Sequence, residues 1–162
     1  MVAEIPFQLW GDHWMFARGG FGSRRGRNFF IDSGHLYVVA GDDGRPRQAS
    51  LWTTAAQYRS WGVPAQLAAG PHFESSDPLW LGPLRQRDQL MATVPARRTP
   101  WESLGGVRID GLLSGAFLRH YAWTLDFDRH RYTFREPAAG AASHQGPQDQ
   151  GRKRIGRQSE PR

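Results

Sequence analysis

Cysteine is absent from the 162 residues, which removes disulfide scaffolds, thiolate zinc sites, iron–sulfur clusters and thiol nucleophiles from consideration. Lysine is nearly absent too, since Lys153 is the single one among 21 basic residues. No apolar run approaches the ~18 residues of a membrane-spanning helix. The opening Met1-Val2-Ala3-Glu4-Ile5-Pro6 lacks the basic and apolar regions of a signal peptide. The expectation is a chain that stays off the membrane, cytoplasmic by default. The six histidines are scattered without the spacing of a metal site, His120 and His130 flanking a strand as surface groups. Neither a metal nor a cofactor is expected. Ser33 and Ser114 lie in no Gly-x-Ser-x-Gly elbow, and Gly19-Gly20-Phe21-Gly22 opens no helix that would cradle a phosphate.

What is abundant points to strands. Nineteen glycines and 11 prolines are more punctuation than a helical bundle tolerates, while seven Trp, nine Phe and four Tyr supply bulk for pleated surfaces. The net charge of +6 is divided evenly: residues 1–134 hold 15 Arg against 12 acids, and the last 28 residues hold five Arg and Lys153 against three acids. A charge spread this way marks no basic groove, and the aromatics sit in apolar alternation instead of being interleaved with arginines. Nucleic acid is not an expected partner.

After Phe134 the composition turns to small and polar residues, with Ile155 the one sizeable apolar side chain. Such a segment cannot offset an ordering entropy of ~1–2 kcal/mol per residue. Residues 1–135 therefore read as one folded domain and 136–162 as a disordered basic tail. Within the domain, Ile5–Trp10 and Trp14–Arg18 alternate as an opening hairpin, and Gly19–Arg27 reads as a turn. Asn28–Ile31 and Leu36–Ala40 read as strands. Ser50–Trp61 carries Leu51, Ala55, Tyr58 and Trp61 at helical spacing with Gly62 as its stop. Dense punctuation from Pro64 to Pro100 leaves one clear strand, Gln89–Val94. Pro100–Leu104 reads as a helical turn, Val107–Leu113 as a strand, Ala116–His120 as a short helix, and Ala122–Phe127 with Arg131–Phe134 as a closing hairpin.

The chemistry is carried by Asp32-Ser33-Gly34. Asp32 follows Phe29-Phe30-Ile31, so its carboxylate leaves an apolar strand into a confined site. Ser33 is placed to support the loop by hydrogen bonding, and Gly34 gives it the backbone freedom that a tight approach needs. Taken alone, the tripeptide is also an ordinary turn. The run from Ile109 to Asp128 resembles the C-terminal signature of retropepsin-like aspartic proteases, in which two apolar residues and a glycine precede a short helix and a Thr-x-Asp-Phe strand. Ile5–Leu9 and Phe29–Gly34 are similar to the opening of prokaryotic single-domain members. The matches keep their order over roughly residues 4–134.

The resemblance implies a mainly β fold, a small closed acid-protease-type β-barrel with one or two short helices. It also implies Asp32 as the catalytic carboxylate, with Ser33 and Gly34 as loop support. Two carboxylates about 3 Å apart cannot both ionise, so one stays protonated while the other activates a water for attack on an amide. One triplet per chain then implies a homodimer acting on peptide or protein substrates. Three departures from the family pattern stand out. His35 follows the triplet where a small residue is usual, Leu112-Leu113-Ser114 delays the expected glycine to Gly115, and Leu36 stands where retroviral members carry an acid. His35, Leu112, Leu113 and Ser114 are the candidates for the substrate groove. The expected function is an aspartic endopeptidase. The alternative is a catalytically inactive protease-like module that binds peptides or takes part in assembly.

Overall fold

The computed structural model describes residues 2–11, 14–41, 43–96, 103–104 and 106–137. In chain order the elements are β1 (Ala3–Trp10), β2 (Trp14–Phe21), β3 (Arg24–Asp32), β4 (Val38–Ala40), β5 (Pro46–Gln48), β6 (Leu51–Thr54), α1 (Ala55–Ser60) and α2 (Ala65–Ala69). They continue with β7 (His72–Ser75), β8 (Leu79–Leu81), β9 (Leu84–Gln86), β10 (Gln89–Val94), β11 (Ser103–Leu104), β12 (Val107–Arg108), β13 (Gly111–Ser114), α3 (Gly115–Leu118), β14 (Ala122–Asp126) and β15 (Arg131–Arg135). The fold is mainly β with short helices.

Alternation makes the first strand: Ala3, Ile5 and Phe7 are buried while Glu4, Pro6 and Gln8 are exposed. β1 pairs with β15 over Ala3–Pro6 and with β2 over Phe7–Trp10. Pro6, which has no amide to donate, thus sits where the strand changes partner. Among the described residues the main sheet has 11 strands, in the order β14-β15-β1-β2-β3-β13-β6-β10-β7, with β8 on β2 and β9 on β8. The expected closure into a barrel is not formed among them. The sheet's terminal strands there are β14, β7 and β9, and Ala122–Thr124 of β14 and His72 and Glu74 of β7 are exposed.

Two buried clusters form, a small one of Ala49, Leu90 and Ala92 and a large one. Phe29, Leu51, Leu79, Leu81, Met91, Leu113, Phe117 and Phe134 are fully buried in it. Burying each side chain of this size contributes about 1.5–3 kcal/mol. Tyr58 lies at its centre with its hydroxyl 3.0 Å from the Leu51 carbonyl and 3.1 Å from that of Ala92, and burial pushes its phenol well above the ordinary value.

Several elements differ from the sequence reading. Gly19–Arg27 is no turn: β2 runs on to Phe21 and β3 begins at Arg24, with a register shift between Gly19 and Gly20. A Cβ at Gly19 would strike the Trp80 carbonyl and the Phe29 ring, so the glycine serves the close docking of β8. The Arg25 guanidinium lies over the Trp80 ring, 3.0 Å from its centroid. Ser50–Trp61 is not a single helix either. Leu51–Thr54 pair with β10 and β13, and Thr54 then caps a shorter helix by accepting from the Gln57 amide at 3.1 Å. Gly62 follows that helix with a φ of 97°, in keeping with its reading as a stop. The strand expected at Leu36–Ala40 is shortened to β4, which forms a separate hairpin with β5. The strand expected at Val107–Leu113 is broken by Ile109 and Asp110 into β12 and β13. Of the helical turn expected at Pro100–Leu104, residues 100–102 lie outside the described residues, and Ser103–Leu104 pair as a strand with β12. The expected tail lies outside them beyond Pro137.

Candidate active site

Asp32 is the last residue of β3, and the strand beside it fixes where its loop emerges. β13 runs parallel to β3 with Leu112 opposite Phe30, Leu113 opposite Ile31 and Ser114 opposite Asp32. β13 in turn pairs antiparallel with β6, Leu112 opposite Trp52 and Leu113 opposite Leu51. The Asp32 loop therefore leaves a strand that is locked on one side to a buried neighbour.

Within the loop the Gly34 amide donates to Asp32 Oδ1 at 3.0 Å, and the His35 amide donates to the Asp32 carbonyl at 3.3 Å. Asp32 is half-buried, while Ser33 and Gly34 are exposed. The single chain thus leaves the carboxylate less enclosed than the apolar run before it suggests. The Ser33 side chain makes no hydrogen bond among the described residues, and the loop is braced instead by the Gly34 amide and by α3 beneath it. A Cβ on Gly115 would come within 2.7 Å of the Ser33 carbonyl oxygen, so only glycine allows this approach.

The glycine displaced to position 115 is accordingly where the loop rests. Ser114 is buried and caps α3: its Oγ accepts from the Ala116 amide at 3.1 Å and donates to the Ala49 carbonyl. Leu112 and Leu113 are buried, with relative exposures of 3% and 0%. These three residues form the floor under the loop. The fold is similar to that of a retropepsin-like aspartic protease. The solved structure of such an enzyme from Rickettsia conorii matches with a TM-score of 0.51 at 14% identity, over 82% of this chain and 88% of that one. No family model and no curated protein matches the sequence.

His35 leaves the loop on the side of β6. Its ring stacks on Trp52, with centroids 4.5 Å apart and planes 21° apart, and Tyr37 lies nearly parallel to the same indole at 6.3 Å. The Gln48 side-chain amide on β5 donates to the His35 carbonyl at 2.6 Å. Burial pushes the imidazole below its ordinary value, and the Asp32 charge pulls it partly back. Leu36, the next residue, is 72% exposed.

The reading of the sequence did not single out Asp110. Its carboxylate is buried and accepts from the Asn28 amide at 2.9 Å and the Gln57 side-chain amide at 3.0 Å. Arg108 lies 3.3 Å from it and Arg27 4.0 Å. Its own carbonyl accepts from Thr53 at 2.7 Å. Asp110 thus ties β3, α1, β6 and β13 together just before the strand that carries the loop's floor. The sequence signal was an acid between Ile109 and Gly111, an apolar setting in which a carboxylate needs partners.

Proposed function

We propose that this chain is an aspartic-type endopeptidase whose site is completed by a second copy, Asp32 of each chain meeting at the two-fold axis. The observation that carries the reading is the seating of the Asp32 loop. A carboxylate ends a strand and is held by the Gly34 amide, and the next residue, Ser33, packs its backbone on Gly115 where a side chain would not fit, within a fold similar to a retropepsin-like protease. In such a pair one carboxylate is protonated and polarises the amide carbonyl, while the other takes a proton from water as it attacks the carbon. On collapse of the tetrahedral intermediate, a proton passes to the leaving nitrogen and the carbon–nitrogen bond breaks. The loop supplies one carboxylate per chain, so the second comes from the partner copy.

Peptide cleavage by the purified chain between about pH 4 and about pH 6, with and without a statine inhibitor, tests this reading. Activity that is blocked by statine and abolished by Asp32→Asn, with the circular dichroism spectrum unchanged, is the expected result. Activity that survives Asp32→Asn overturns the assignment. A folded dimer that binds statine and cleaves nothing would place the chain among inactive peptide-binding modules.

A further inference from the structure

Immediately beside the candidate catalytic carboxylate, a histidine is packed against an indole with one nitrogen sealed off. His35 Nε2 is buried and has no hydrogen-bond partner among the described residues, while the ring lies flat on Trp52. Imidazolium has two N–H donors, and in this position the second would point into a space with no acceptor. The stack as built therefore disfavours the cation through that unpaired donor and the ring's burial, against the attraction of the Trp52 face and of Asp32. The titratable and charged groups around the ring are few. On the loop, Asp32 is the acid that acts on the ring. β6 (Leu51–Thr54) carries no titratable side chain. On β5, Arg47 next to Gln48 is engaged with Glu74, and on the way into β4 the neighbouring group is the Tyr37 phenol, whose hydroxyl donates to the Pro71 carbonyl at 3.3 Å.

We propose that neutral His35 is a positioning residue for the Asp32 loop, clamping the loop's exit onto Trp52, and that protonation of His35 breaks the clamp and frees the loop. The backbone geometry transmits the change. His35 donates its amide to the Asp32 carbonyl and accepts at its own carbonyl from Gln48, so the ring and the catalytic turn share one short stretch of chain. Once charged, the ring leaves the indole and turns toward the Asp32 carboxylate, the acid that acts on it among the described residues. The proposal rests on the protease reading for the meaning of the loop, but the clamp itself is a property of the folded chain.

The test follows the Gly34 amide, which donates to Asp32 Oδ1, and the His35 ring by NMR in the full chain from about pH 8 to about pH 4. In the wild type the Gly34 signal is expected to move in step with the His35 ring, with a midpoint below 6.5, the ordinary histidine value. His35→Phe keeps a ring on Trp52 without a titrating group and should lose that step. His35→Ala should weaken protection of the Gly34 amide at neutral pH by roughly 3- to 10-fold, the scale of a lost aromatic pair. A His35 midpoint at or above the ordinary value, or the same Gly34 step in His35→Phe, overturns the proposal. If His35→Ala does not fold, the phenylalanine variant decides alone. A wild type without peptidase activity at any pH would remove the protease reading and leave these signals to be read as before. An active enzyme whose pH profile is identical in His35→Phe would remove the clamp and leave the protease reading.

Discussion

Asp110 and Gly115 stand at the two ends of the strand on which the Asp32 loop is seated. Asp110 anchors the entry to β13 through four partners from three elements, so its removal leaves the Asn28 amide and the Gln57 side-chain amide without their acceptor and Arg27 and Arg108 without this counter-charge. Asp110→Ala should cost about 1–3 kcal/mol, the penalty for a buried donor left unpaired, read as a fall in the urea midpoint. Gly115 acts at the other end of the same strand. Gly115→Ala must push the Ser33 carbonyl away from the helix, and a displacement of this kind is expected to cost peptidase activity roughly 10²-fold. Kinetics on a variant shown to be folded measure it. Undiminished activity would mean that the loop does not rest on α3 as described.

At the scale of elements, the short strands around the loop are what the sequence showed least clearly. The opening hairpin, the strand into Asp32, Gln89–Val94 and the closing hairpin were legible because period-2 alternation or a compact apolar run survives when one face is buried. Ser50–Trp61 was misread because Leu51, Tyr58 and Trp61 all enter the core, and their helical spacing hides that the first of them does so from a strand. β7, β8 and β9 were missed because three- and four-residue strands between Pro71, Pro78 and Pro83 carry too little period to count. Asp32, Ser33, Gly34 and the glycine at 115 were named from the sequence. The stack of His35 on Trp52 was not, because it joins a loop to a strand that had been read as helix.

The same loop and helix also set a pH dependence of stability. His35 is pushed down by burial with Asp32 opposing, and His120, just past α3, is pushed down by burial and by Arg119. With native values below the ordinary 6.5, the unfolded chain takes up protons first as pH falls. Stability contributed by these groups is therefore present above that value and is lost as pH drops toward the native ones. Urea melts should show lower stability at about pH 5.5 than at about pH 7.5, with a smaller difference in His35→Phe combined with His120→Gln. An unchanged difference would place its origin in other groups.

For the whole molecule, the open sheet and the lone carboxylate point the same way. Among the described residues the sheet ends on β14, β7 and β9, and Leu36 and Val38 stand 72% and 51% exposed within six residues of Asp32. A chain built like this is expected to act only as a pair, so its activity should depend on its own concentration. Mixing decides it most directly. Wild-type chains are combined with an equal amount of Asp32→Asn chains, allowed to exchange, and assayed for peptide cleavage at constant total protein. If each site needs Asp32 from both copies, random pairing leaves about a quarter of the dimers intact, and activity falls to about a quarter of the unmixed value. A fall to only about half, the result of simple dilution, would show that each chain carries a complete site and would contradict the account.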